Sequence, residues 1–328
     1  MPAIETVALD EYLPPALAGM EISDTAIPRI ARDPALCEAV AQSARMIPTE
    51  HRLYLHNARD LTFLDDEQVH LVVTSPPYWT LKRYRDEDGQ LGHIEDYDVF
   101  LEALDDVWRQ CFDRLVPGGR LVCVVGDVCL SRRKNNGRHM VMPLHAAIQE
   151  RCRAIGFDNL APIIWHKIAN ATYEVEGSGG FLGKPYEPNA VIKNDIEFII
   201  MQRKPGGYRS PTAAARALSV ISERDHRQWF QQIWTGIGGA STRKHPAPYP
   251  LALADRLVRM FSFVGDTVLD PFMGTGTTNV AASHVGRCSI GVELDPEYFD
   301  QACRRIHAET RDLFGRSQIH IHPNPESD

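Results

Sequence analysis

A repeated switch between short apolar runs and amphipathic stretches constrains this chain more than any other feature. Residues 52–56 (RLYLH) and 70–74 (HLVVT) read as short strands, with a helical turn or two over 61–67 between them. Residues 97–115 then set Phe100, Leu104, Val107, Trp108, Cys111 and Leu115 at helical spacing. Pro117-Gly118-Gly119 is expected to end that helix ahead of a buried strand over 121–126 (LVCVVG). A helix over about 141–155, an apolar run over 160–165 and a strand over 196–201 continue the series. It closes with an amphipathic helix over 250–261, a short strand over 267–270, a glycine-rich turn and helix, a strand over 288–293 (CSIGVE) and a helix from Pro296. Strands that alternate with helices give an α/β fold, a mostly parallel sheet with helices on both faces. Such sheets take ligands beyond the carboxyl ends of their strands.

Two of those strand ends carry chemistry. The strand over 267–270 ends in Asp270 and runs through Pro271 and Phe272 into a Gly274-x-Gly276 turn ahead of Thr277-Thr278 (VLDPFMGTGTTNV, 268–280). The glycines let the backbone turn tightly. A helix opened at Thr277 aims free N–H groups and its positive end at an anionic or carboxylate-bearing ligand. No Gly-Lys-Ser/Thr follows, so this is not a phosphate-binding P-loop, and Asn279 stands where a full G-x-G-x-x-G has its last glycine. Glu293, nineteen residues after Gly274, ends the next strand, where an acid can accept both ribose hydroxyls of a nucleoside cofactor. A lone Gly-x-Gly signals no more than a helix-opening turn, and Asp270 alone reads as a cap. Together with Glu293 they favour a nucleoside cofactor.

The other end is Thr74-Ser75-Pro76-Pro77-Tyr78-Trp79. Prolines cannot feed a sheet ladder, so the strand stops at Pro76. A proline turn with aromatics tucked onto the core is the bland reading. The alternative is a pocket for a planar base. There the Ser75 hydroxyl and Pro76 carbonyl accept the two N–H bonds of an exocyclic amine, and the Tyr78 ring stacks on the base. Proline rigidity fixes that geometry. Trp79 either walls such a pocket or packs.

Bulk properties narrow the partners. The 328 residues can bury one large core, or a core with a smaller domain. No apolar run approaches the roughly 20 residues of a bilayer span, and the first twenty residues lack a basic-then-apolar signal, so a cytoplasmic location is expected. Seven cysteines without a Cys-x-x-Cys pair fit reduced thiols, and no metal site is expected. The net charge of −8 argues against non-specific nucleic-acid binding, but residues 161–250 hold eleven Lys and Arg against seven Asp and Glu. Basic clusters at 82–85, 132–134 and 243–245 could meet a polyanion, although a solvated loop is the commoner fate of any single triplet.

TSPPYW resembles the catalytic motif of the amino-group DNA methyltransferases, and DPFMGTGTT resembles their S-adenosylmethionine motif. A serine in the first is typical of N4-cytosine enzymes, whereas N6-adenine enzymes usually carry Asp. HPAPYP (245–250) is similar to the flanking segment that closes over the methionine part. Asp60 in HNARD (56–60) matches an acid placed near the cofactor adenine, and capping the next helix is its other reading. The segments GGRLVCVVGD, IIWHK and NDIEFIIMQRK fit the same pattern. The catalytic motif precedes the cofactor motif, as in the circularly permuted β group, where the target-recognition region lies between them.

The resemblance implies a Rossmann-like S-adenosylmethionine-dependent sheet. Its catalytic half is expected over 51–165, a target-recognition region over 166–245 and a cofactor half over 246–315. An acidic extension over 1–50 and a C-terminal tail over 316–328 flank them. Ser75, Pro76, Pro77 and Tyr78 become the expected catalytic set. Asp270, Pro271, Phe272, Gly274, Gly276, Thr277, Glu293, Asp60, His245 and Pro246 become the cofactor set, and Trp79, Lys82, Arg83, Arg243 and Lys244 the DNA set. The implied activity is sequence-specific methyl transfer from S-adenosylmethionine to the N4 amine of a flipped cytosine in double-stranded DNA. Adenine N6 on the same scaffold and a non-catalytic DNA-binding protein are the alternatives. A cognate restriction endonuclease and a homodimer are further expected partners. No Pro-Cys dipeptide exists, which disfavours attack on cytosine carbon five.

Overall fold

Asp33 separates two short helices, α1 (Ala26–Arg32) and α2 (Pro34–Ala44). Its carboxylate accepts from the N–H groups of Ala35 (2.9 Å) and Leu36 (3.2 Å), and Pro34 needs no donor in a first turn. A computed structural model describes residues 7–64, 69–81, 89–167, 194–239, 249–310 and 317–323. Beyond α2 come β1 (Thr49–Leu55), β2 (Val69–Thr74), α3 (Tyr97–Arg114) and β3 (Leu115–Val125). A hairpin of β4 (Val128–Leu130) and β5 (Met140–Met142) leads to α4 (Leu144–Ile155), β6 (Asp158–His166) and β7 (Ile196–Arg203). Next are α5 (Ala213–Leu218), α6 (Glu223–Trp229), β8 (Ile233–Trp234) and α7 (Leu251–Phe261). The last elements are β9 (Thr267–Asp270), α8 (Thr277–His284), β10 (Cys288–Glu293), α9 (Pro296–Thr310) and β11 (Ser317–His322).

Among the described residues nine strands form one sheet in the order β11-β1-β10-β9-β2-β3-β7-β6-β8, parallel except for β7, which runs against β3 and β6. The fold is the α/β class that the strand–helix alternation predicts. Period-two alternation sorts the central side chains between two cores. Val72, Leu121, Leu269 and Ile290 pack towards α3 and α4, with Phe100, Leu104 and Trp108. Leu71, Val73, Val122 and Val268 pack towards α7 and α8, with Leu253, Leu257 and Ala281. All of these residues are fully buried, which is why the strands read as continuous apolar runs. Among the described residues no helix is long and apolar enough to cross a membrane.

Five expectations change. Pro117-Gly118-Gly119 lies inside β3 instead of separating helix from strand. Gly118 takes φ +78° and donates its N–H to the Lys204 carbonyl at 3.0 Å, and the pairing shifts register between Val69 and Leu71, so a bulge absorbs the proline. Residues 140–142 pair with β4 and α4 starts only after Pro143, because a residue without an N–H suits a helix start. Residues 317–322, expected within a tail, form the edge strand β11 beside β1. The acidic N-terminal segment also docks on the body, for Ile30 and Val40 pack with Ala217 of α5, and Arg216 pairs with Asp24. The segment expected as an insertion supplies β7 and β8 to the main sheet, while 168–193 and 240–248 lie outside the described residues.

Candidate active site

β2 and β9 are neighbours, paired at Leu71–Val268 and Val72–Leu269, so their ends at Thr74 and Asp270 meet. Thr74 Oγ1 donates to Asp270 Oδ1 at 2.7 Å, and the Phe272 N–H donates to the same oxygen at 3.1 Å. Asp270 Oδ2 accepts from Thr278 Oγ1 (2.6 Å) and Tyr249 Oη (3.2 Å), and those two hydroxyls also contact each other. Burial pushes the Asp270 pKa up, and the donors from Thr278, Thr74, Phe272 and Tyr249 oppose it. Asp270 is fully buried and is not among the residues that line the cleft between the two motifs. Its carboxylate is a hub that joins β2 through Thr74, α8 through Thr278 and the segment entering α7 through Tyr249.

The turn after β9 needs its glycines. Gly274 and Gly276 sit at φ +53° and +75°, where a side chain is disfavoured. The Met273 N–H donates to the Val292 carbonyl at 2.9 Å and draws the turn onto β10. Gly291 leaves room for this, since a Cβ there would lie 2.2 Å from Met273 Sδ. Gly276 packs against α9, where a Cβ would approach Ile306 Cδ1 to 2.7 Å. Arg305 of α9 donates to Thr277 Oγ1 (2.9 Å) and to the Thr275 carbonyl (3.2 Å), a brace on the turn that sequence pattern does not announce. Gly276 and Thr277 thus hold the turn and do not line the cleft.

Glu293 does line it. Its carboxylate accepts from the N–H groups of Gly274 (2.8 Å) and Asp295 (3.0 Å), which ties the end of β10 to the glycine turn. Burial pushes the Glu293 pKa up to about 7, against those two donors. A carboxylate has about four acceptor positions, so capacity remains on the cleft side.

A cleft open to solvent lies between the two motifs, and its ≈ 620 Å³ of empty space includes that open mouth. Ser75 and Pro77 stand on one wall, and Pro271, Phe272, Gly274 and Glu293 on another. His56, Asn57, Leu294 and Tyr298 also line it and were not anticipated. Their signal was positional, for His56 follows β1, whose neighbour is β10, and its N–H donates to the Glu293 carbonyl at 2.9 Å.

Ser75 Oγ donates to Tyr78 Oη, which donates to the Val124 carbonyl, each at 3.3 Å. The Tyr78 ring is buried, its edge beside Gly126 and Glu197. Trp79 adopts φ +45°, uncommon for a bulky residue and frequent near functional turns. Its Nε1 donates to the Ile94 carbonyl at 2.9 Å and its ring meets Tyr97 edge-on. Asp60 accepts from Thr62 Oγ1 (2.6 Å) and the Thr62 N–H (3.0 Å), which lowers its pKa. It caps the 3-10 turn Thr62–Leu64, its other reading, and lies off the cleft wall. Lys82, Arg83, Arg243, Lys244, His245 and Pro246 lie outside the described residues.

Residues 69–304 match the N6/N4 family of DNA methylases. The Type II methyltransferase M.MjaI of Methanocaldococcus jannaschii is 36% identical over 76% of this chain and 88% of its own length. The Type II methyltransferase M.MthZI of Methanothermobacter thermautotrophicus is 34% identical over 79% of this chain and 77% of its own. TTHA0409 of Thermus thermophilus, assigned as a DNA modification methylase and solved with S-adenosyl-L-methionine, is 51% identical. It covers 84% of this chain and 98% of its own, with a TM-score of 0.68.

Proposed function

The chain belongs to this family of DNA methylases, and on that premise we propose that it methylates the exocyclic N4 amine of cytosine in double-stranded DNA. The observation that carries the reading is one cleft shared by Ser75 of TSPPYW and by Gly274 and Glu293 of the nucleoside-type turn. S-adenosylmethionine supplies the electrophilic methyl group when bound. The residues present fit it. Glu293 keeps acceptor capacity for a ribose diol, while Phe272, Val292 and Leu294 give the apolar wall a nucleoside needs.

Ser75 is an orienting acceptor. Its proton is directed at Tyr78 Oη, whose own proton goes to Val124, so the Ser75 lone pairs remain for an incoming amine. The Pro76 carbonyl, free of any ladder, provides the second acceptor. Holding both amine protons turns the nitrogen lone pair out of conjugation and towards the methyl carbon. No strong base is needed beforehand, because the methylated amine is acidic enough to lose its proton. A flipped base, its unstacking costing about a few kcal/mol, stacks on Tyr78 once the segment covering that buried ring moves aside. The serine of TSPPYW supports cytosine N4 over adenine N6. The Type II naming of the relatives supports a companion endonuclease for the same site.

The test is nucleoside mass spectrometry of unmethylated DNA of varied sequence after incubation with the protein and S-adenosylmethionine. N4-methylcytosine is the expected product. N6-methyladenine would keep the fold, cofactor and orienting roles but overturn the assignment of base from Ser75.

A further inference from the structure

We propose that the β4–β5 hairpin, residues 128–142, is a rigid basic arm that grips the DNA phosphate backbone beside the catalytic motif. This rests on the reading of the chain as a DNA methyltransferase acting at Ser75. The stretch VCLSRRKNNGRHMVM contains Arg132, Arg133, Lys134 and Arg138 and no acid, in a chain whose net charge is −8. A polyanion approaching such a protein needs a local positive surface, and this is one.

The arm stands at the catalytic end of the sheet. It leaves β3 at its carboxyl end, β3 pairs with β2, and β2 runs into Ser75. Strand β4 lies against the 3-10 turn Trp79–Leu81 that follows the catalytic residues. A duplex presenting a base to Ser75 therefore passes next to the arm.

The base of the arm is clamped. Val128 is buried, with Leu130 and Met142 packed on the same core. Asp127, just before the arm, accepts from the His145 N–H (3.3 Å) and meets His145 Nδ1 at 2.7 Å, tying the chain that enters to the chain that leaves. The His145 ring stacks on Phe198 with centroids 3.6 Å apart. The tip is closed as well. Gly137 N–H donates to the Arg132 carbonyl (2.9 Å), Arg138 N–H to the Asn135 carbonyl (2.8 Å), and Asn135 Nδ2 to the Arg138 carbonyl (3.2 Å). Asn136 and Gly137 adopt φ +47° and +81° to allow that closure.

Arg132, Arg133 and Arg138 are exposed at this tip, and Arg133 and Arg138 enter no ion pair among the described residues. A guanidinium suits a phosphate because its fork of donors matches two oxygens at once. A tip held by its own backbone gives up little conformational freedom on binding.

The experiment compares the full chain with Arg133→Ala/Arg138→Ala and Arg133→Lys/Arg138→Lys variants. Kd for a labelled duplex is measured from about 50 to about 200 mM salt. The alanine pair is expected to reduce the slope of log Kd against log salt by about 2, one per lost phosphate contact, equally on unrelated sequences. The lysine pair should keep the wild-type slope, and all three proteins should share one Tm and one S-adenosylmethionine affinity. An unchanged slope for the alanine pair overturns the arm, and so does a loss confined to one DNA sequence. Product analysis judges the reaction separately. Wild-type protein that binds DNA but methylates no base would overturn the activity, while the slope comparison still decides the arm.

Discussion

Thr74 Oγ1 and Asp270 Oδ1, 196 positions apart in sequence, are joined by a 2.7 Å hydrogen bond between the ends of two adjacent parallel strands. That bond couples the segment entering Ser75, proposed to orient the substrate amine, to the turn beside the cleft proposed to hold the cofactor. Asp270→Asn keeps the shape but replaces one acceptor with a donor, opposite hydroxyls and an N–H that already donate. It is expected to lower the unfolding free energy by about 1–3 kcal/mol. Urea denaturation measures this, and no change in midpoint would mean that the hub is dispensable.

Glu293 gives the site a pH dependence. Its folded pKa of about 7 lies above the ordinary 4.5, so its contribution to stability is complete below about pH 4.5 and lost as pH rises through about 7. Cofactor binding should run the other way, because the ionised carboxylate is the better acceptor for a diol. Affinity for S-adenosylmethionine is therefore expected to rise from pH 6 to pH 8, and Glu293→Gln should flatten the profile (about one unit either side of the group's pKa). Titration calorimetry across that range decides, and a flat wild-type profile would sink the assignment.

Gly291 is the sharpest steric constraint at the site. In Gly291→Ala the new methyl meets Met273 Sδ and Asn279, and the turn must lift from β10. A loss of about 1–3 kcal/mol is expected, together with weaker cofactor binding. Adding Met273→Ala should recover part of the stability, as thermal unfolding of the double variant would reveal. Further loss on adding it would place the clash elsewhere.

Ser75→Ala should separate catalysis from binding. Removing an oriented polar contact to the reacting group typically lowers kcat by about 10²-fold or more. The cofactor Kd is expected to stay within about twofold, since the residues proposed to hold the cofactor, Gly274 and Glu293, lie in the turn after β9 and at the end of β10. Equal losses in both would make Ser75 a structural residue.

Local pattern alone determined much of this protein. Short continuous apolar runs bounded by turn-forming residues placed β2, β7, β9 and β10, the spacing of Phe100, Leu104 and Trp108 placed α3, and the two motifs fell at strand ends as parallel-sheet logic requires. These features are legible because neighbouring residues decide them. What only the tertiary structure decided depends on residues far apart in sequence. Asp270 turned inward because Thr74, Tyr249 and Thr278 converge on it, and Gly276 and Thr277 serve α9 through Ile306 and Arg305. Residues 317–322 became a strand because β1 offered an edge, and Pro117 stayed in a strand because a bulge at Gly118 could bond to Lys204. A side chain's direction and a strand's partner are settled by long-range packing, and no local period encodes either.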